Sequence, residues 1–180
     1  MGGMIAFQLA VDAPGLVRTL TIVNSGPAMV LRTFKERLPI AVRFATIRWL
    51  GLPTFAKQLV RRLFPKPEQE DLRREFAERI VQNDKRSYLD SLGALVGWSV
   101  LDRIGEIRCP TLIIASDHDY TPVSRKQEYA KLIPGAELKV IADSWHAAPL
   151  DRPAELNALL AVFLDRRGST PATIGSRTAP

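Results

Sequence analysis

The chain has 180 residues, 46% hydrophobic and 24% charged, enough apolar surface for one domain with a sizeable core. Its net charge of +6 is spread along the sequence without a dense basic tract, which argues against a nucleic-acid partner. No apolar run approaches the ~20 residues of a membrane span, no signal segment opens the chain, and membrane contact is not expected.

Gly2 to Asp12 is predicted as a helix with Ile5 and Leu9 on one face, stopped by Ala13-Pro14-Gly15 because proline restricts the residue before it. The β-branched run Leu20-Thr21-Ile22-Val23 then reads as a buried strand closed by the loop Asn24-Ser25-Gly26-Pro27. From about 28 to 101 the pattern turns helical, with stripes Ile40-Phe44-Ile47, Phe55-Leu59-Leu63, Leu72-Phe76-Ile80 and Tyr88-Leu92-Leu95-Trp98. Breaks near Gly51, Pro53, Pro65 and Pro67 divide it into three or four short helices. Strands return at Thr111–Ala115 and Leu138–Ala142. Between them Ser124, followed three residues later by Gln127, is placed to cap a helix ending at Pro134-Gly135. A last helix begins near Asp151, Pro153 and Glu155, with Leu156, Leu159, Leu160 and Phe163 at helical spacing. Alternating strand and helix imply a parallel sheet covered on its faces. Residues 165–180 lack apolar spacing and are expected to be a disordered tail. The single cysteine, Cys109, precedes Pro110 and reads as a buried thiol, in keeping with a reducing cytoplasmic location.

In open α/β sheets the chemistry gathers beyond the carboxyl ends of the strands. Two such loops carry reactive groups: Ser116-Asp117-His118-Asp119-Tyr120-Thr121-Pro122 and Asp143-Ser144-Trp145-His146-Ala147. A serine hydroxyl needs an imidazole to take its proton and a carboxylate to fix the ring tautomer, and an Asp and a His on adjacent loops supply that pair. Asp119 and Asp117 both stand where such an acid is needed, and His118 reads as loop decoration. Asp117-His118-Asp119 is the one cluster with metal-ligand chemistry, but two histidines and no H-E-x-x-H leave a metal without support.

Two stretches carry a family resemblance. Met1-Gly2-Gly3-Met4 resembles the second half of the nucleophile elbow of the α/β-hydrolases, which often reads G-x-S-M-G-G. Ile107 through Leu164, with Pro110-Thr111-Leu112, Asp119, Pro122, Ile133-Pro134 and Trp145-His146, resembles the last third of that family. The resemblance implies a partial α/β-hydrolase fold: about three parallel strands, the last three of the family's sheet, flanked by helices and carrying a helical cap insertion. Core would occupy 1–27 and 102–164, and the cap 28–101. It implies Asp119 as triad acid and His146 as base, with the serine nucleophile just before Met1, whose backbone N–H would help hold the oxyanion. Trp145 stands where the family usually has glycine, and Ser116 where glycine is commoner. Methionine after the nucleophile position resembles the serine-type elbow, whereas Asp-nucleophile members more often carry tryptophan.

The function implied is that of a carboxyl-terminal part of a serine hydrolase acting on a small apolar, ester or related acyl or carbon-carbon substrate, with no cofactor. The alternative is a non-catalytic remnant or split-protein subunit that binds an apolar ligand or a partner chain. Either way the strand at Leu20–Val23 would lack a neighbour on one side, so the missing amino-terminal half or a partner is expected to be needed for stability. Ser25, Ser116 and Ser144 lie near strand ends, but none sits in a glycine-spaced elbow.

Overall fold

A computed structural model describes residues 1–168. Helix α1 spans Gly2–Asp12 and strand β1 Leu20–Val23. Four helices follow: α2 (Phe34–Ala45), extended by a π-type turn at Thr46–Leu50, α3 (Gly51–Leu63), α4 (Glu70–Val81) and α5 (Lys85–Leu95). Strand β2 (Thr111–Ser116), helix α6 (Val123–Ala130), strand β3 (Glu137–Ile141) and helices α7 (Ala148–Asp151) and α8 (Pro153–Gly168) complete it. The last helix runs past Asp165, where a tail was expected; the rest of that tail lies outside the described residues.

The three strands form one parallel sheet in the order β1-β2-β3, with Leu20 opposite Thr111, Val23 opposite Ile114 and Ser116 opposite Ile141. All six residues of β2 are buried because both faces are covered, the usual condition of a parallel strand. Ile113 faces a core shared with Phe7, Val11, Ile22, Ile104 and Tyr129, while Leu112 and Ile114 face Ile141, Leu156 and Phe163. Phe7 meets Tyr129 edge to face at 5.8 Å, joining α1 to α6. Gly3 permits close packing of α1 on the loop that follows β1: a Cβ there would lie 2.5 Å from the Ser25 Cβ. Gly2, by contrast, faces open space.

The helical segment has its own core of Ile47, Phe55, Val60, Leu63, Phe64, Ile80 and Leu92. Its entry and exit run side by side: Met29 N–H donates to Trp98 O at 2.8 Å, Gly97 N–H to Met29 O at 3.0 Å and Val100 N–H to Pro27 O at 2.9 Å. Trp98, expected on the last helical stripe, is corrected. Helix α5 ends at Leu95, Gly97 turns at φ 87°, and Trp98 packs on the α1–β1 core with its Nε1–H donated to Gln8 at 2.7 Å. The break expected near Gly51 and Pro53 falls at Gly51, at φ 81°, and Pro53 sits in the first turn of α3, where a missing N–H costs nothing. Ser124 caps nothing: α6 starts at Val123, behind Pro122, so Ser124 already lies inside the helix. Cys109, expected to be buried, is partly exposed, and desolvation raises its thiol pKa.

Glu36 ties this segment to the sheet. Its Oε2 accepts the N–H of Arg32 and of Thr33, closing a capping box on α2, and its Oε1 accepts from Arg125 of α6 at 3.0 Å. The Thr33 N–H first, then Arg125, hold its carboxyl down from an ordinary 4.5 to about 2. A depressed folded value contributes stability above pH 4.5 that is lost as pH falls toward 2. Denaturation followed against pH should therefore show Glu36→Gln less stable than the parent near neutrality, with the difference vanishing between pH 4.5 and about 2. A difference that stays constant over that range would refute it.

Candidate active site

The ends of β2 and β3 bring the two reactive loops together. His146 Nδ1 lies 2.7 Å from Asp119 Oδ1 across 27 residues of sequence. Because a carboxylate only accepts, Nδ1 carries the proton and donates it, leaving the Nε2 lone pair as the acceptor. The Asp119 side chain is fully buried, and that of His146 is 31% exposed, so the ring faces outward from a dry carboxylate.

Asp117, the rival for the acid position, points elsewhere. It accepts the N–H of Asp143 at 2.9 Å and of Ser144 at 3.0 Å, pinning the β3 loop. Desolvation works to raise its pKa, but those backbone donors and nearby His118 outweigh it and hold it below the ordinary carboxylate range. His118 stacks on Trp145 at 4.8 Å. Among the described residues no three His, Cys, Asp or Glu side chains come together as a metal site.

Three residues essential to this geometry carried no weight in the sequence reading. Asn24 ends β1 at φ 46°, and its amide accepts the Ser116 N–H while donating to Ser116 Oγ and to the carbonyls of Trp145 and His146. It couples three strand ends and holds the backbone of the histidine itself. Lys126 is fully buried, with Nζ 2.5 Å from Asp119 Oδ2 and 2.6 Å from Thr121 O. The available signal was its spacing, since Lys126, Tyr129 and Ala130 share the buried face of α6. Tyr120 is the third: its hydroxyl lies 2.7 Å from His146 Nε2 and the two rings stack at 4.1 Å. Desolvation, then the Asp119 charge, push its phenol above the ordinary range, so it stays protonated and donates to Nε2.

Ser116 and Ser144 are both buried and bonded to each other at 2.9 Å. Ser25 sits under α1 against Gly3, and its carbonyl accepts from Tyr129. None of the three is bonded to His146. Met1 caps α1, its carbonyl accepting from the N–H of Met4 and Ile5, and desolvation lowers the pKa of its amine.

The helical segment is fastened at the same edge. Lys66 bonds Asp143 at 2.5 Å and lies over the Trp145 ring at 4.9 Å, while Gln69 donates to Asp151 at 2.6 Å. Asp151 in turn accepts the Trp145 N–H at 2.9 Å, and Ala147 packs on the segment's own core. Its aromatic residues serve mostly that core: Phe55 is buried and Phe64 meets Phe76 at 5.7 Å, whereas Trp49 stands 77% exposed. Among the described residues no helix is long and apolar enough to cross a membrane.

A parallel sheet with an Asp-His pair at its carboxyl edge and a helical excursion between β1 and β2 defines a hydrolase-like α/β protein. The chain belongs to the alpha/beta hydrolase family, whose model matches residues 1–159. It is 26% identical over 170 residues to the protein named "Putative carbamate hydrolase RutD" of Agrobacterium fabrum, covering 91% of this chain and 64% of that protein. In fold it is similar to the enol-lactonase from Burkholderia xenovorans LB400, with TM-score 0.82 at 20% identity over 92% of this chain and 63% of that one. It is also similar to Est816, described as an N-acyl homoserine lactone degrading enzyme, with TM-score 0.70 at 31% identity over 90% of this chain and 64% of that one. The chain thus spans somewhat under two thirds of the length of these relatives.

Proposed function

We propose that this chain supplies the acid and base of a serine hydrolase acting on an ester or related acyl or carbon-carbon substrate, with Asp119 as acid and His146 as base. The observation that carries this is the Asp119–His146 bond at 2.7 Å, on adjacent strand ends, with Nε2 turned toward the outside. The nucleophile would be a serine in chain preceding Met1, and the Met1 backbone N–H would be one oxyanion donor. The serine oxygen attacks the acyl carbon as its proton passes to His146 Nε2; the imidazolium then donates that proton to the leaving group while Asp119 holds Nδ1–H. Tyr120 must surrender Nε2 when the serine takes its place. Residues 28–101 act as the cap, clasped by Lys66 and Gln69, and residues 1–27 with 102–164 form the core. Acyl chemistry draws support from the similarity to Est816, described as an N-acyl homoserine lactone degrading enzyme. A lone, half-buried cysteine accords with a cytoplasmic location.

A second reading has its own observation. With Tyr120 seated on Nε2 and no serine of residues 1–168 bonded to His146, the chain would be a non-catalytic remnant or split subunit, stabilised by a partner along the open edge of β1. The test begins with the DNA ahead of the Met1 codon, where an in-frame G-x-S is expected. The extended chain is then purified and exposed to a fluorophosphonate probe and to short and long acyl esters. Labelling of that serine together with ester turnover supports the hydrolase. An extended chain that takes no label and turns over no ester overturns it and leaves the second reading.

A further inference from the structure

We propose that Lys126 is a positioning residue, clamping Asp119 and offsetting its charge so that it sets how tightly His146 holds a proton. Asp119 is gripped from both sides. Its Oδ1 accepts from His146 at 2.7 Å and its Oδ2 from the Lys126 ammonium at 2.5 Å, and both Asp119 and Lys126 side chains are fully buried. The remaining reach of Nζ is spent on Thr121 O at 2.6 Å, which fixes the loop between acid and helix. Lys126 shares its face of α6 with Tyr129 and Ala130, members of the apolar core, so an uncharged side chain would fill the same space. A charge buried there must be matched, and the match is the carboxylate that holds the histidine.

The consequence is electrostatic. A solitary buried carboxylate favours imidazolium on its neighbour. Here lysine and aspartate already neutralise one another, so protonating His146 leaves one net positive charge beside a fully buried ion pair. The other titratable groups that act on this cluster are the phenols of Tyr120 and Tyr129, with Arg43, Arg62 and Tyr88 of the helical segment, which reach Tyr120; Asp151 stands beside it, bonded to the Trp145 N–H. Among the described residues Lys126 is the one cation bonded to Asp119 besides His146 itself when protonated.

The catalytic meaning of this clamp rests on the hydrolase reading; its effect on His146 does not. Ring signals of His146 are followed against pH by NMR, with His118→Gln used to assign the two histidines. In Lys126→Met the His146 midpoint should rise by about one pH unit, a tenfold tighter hold on the proton, and Lys126→Arg should bring it back to within about 0.3 of the parent. Lys126→Gln, which keeps a donor without the charge, serves as a second neutral variant should the methionine chain fail to fold. A folded neutral variant whose His146 midpoint matches the parent overturns the proposal, since a merely structural lysine would alter stability and leave that midpoint in place. In the extended chain the acid limb of kcat/KM for ester hydrolysis should move the same way. A moved midpoint with no ester turnover in any chain would sink the hydrolase reading and leave the clamp standing.

Discussion

His146→Ala in the extended chain is expected to lower kcat for ester hydrolysis by about 10³- to 10⁴-fold with little change in KM, because it removes the proton carrier and leaves the binding surface intact. Asp119→Asn should cost a similar factor for a different reason. An asparagine amide presented to Nδ1 can donate as well as accept, so the ring is no longer held with its proton on Nδ1 and its lone pair toward the nucleophile. The two losses should not add, since acid and base act as one unit, and the double variant should retain about the activity of the worse single one. Steady-state kinetics on short and long acyl esters, with unfolding midpoints to show that each variant is folded, gives the comparison. Asp117→Asn is the control: its carboxylate holds the Asp143 and Ser144 N–H groups rather than the histidine, so its loss should appear chiefly in stability. Unchanged turnover in His146→Ala and Asp119→Asn would remove both residues from the reaction.

The elements that were legible in the sequence are those whose signal is local. Leu20 to Val23 is a strand in the structure because a β-branched run between turn residues has nowhere to go but a buried sheet, and Gly2 to Asp12 is a helix that ends where Pro14 demands. That the loops carrying Asp119 and His146 would meet was legible for a topological reason, since each follows a strand and parallel neighbours bring their carboxyl ends together, whereas singling out Asp119 over Asp117 rested on the family resemblance. Periodicity misled where a single backbone angle intervened: the stripe through Leu92 and Leu95 points on to Trp98, but Gly97 at φ 87° sends the chain back to α1. Asn24 and Lys126 were hidden for a further reason. Each looks like ordinary punctuation, a turn asparagine and a surface lysine, and their meaning depends on partners 92 residues away in one case and on the burial of a helix face in the other. Polar residues that are buried and fully bonded leave no pattern in a chain read one window at a time.

Asn24→Ala should cost about 3 to 5 kcal/mol of folding stability. Asn24 is 3% exposed, so no water stands ready to replace what its amide does. Its Oδ1 receives the Ser116 N–H at 2.7 Å, and its Nδ2 shares two hydrogens among Ser116 Oγ at 2.7 Å, His146 O at 3.0 Å and Trp145 O at 3.2 Å. Truncation leaves the buried Ser116 N–H and the part-buried His146 carbonyl without that partner, at about 1 to 3 kcal/mol each before relaxation, and leaves the Trp145 carbonyl only the Ser144 hydroxyl at 3.5 Å. Alanine must also adopt the φ of 46° that asparagine tolerates through its short polar side chain. Asn24→Gly separates the two costs, because glycine accepts that angle freely; it should be about 1 kcal/mol more stable than Asn24→Ala and still well below the parent. Asn24→Asp keeps the acceptor for the Ser116 N–H but turns a charge toward two carbonyl oxygens, so it should not rescue. Urea unfolding with a shared m value measures all three. An Asn24→Ala chain within about 0.5 kcal/mol of the parent would show that the coupling of β1 to the β2 and β3 loops is slack. The expected result instead makes the asparagine the joint through which the sheet holds the backbone of His146, since two of its four side-chain bonds end on the backbone on either side of that residue's amide.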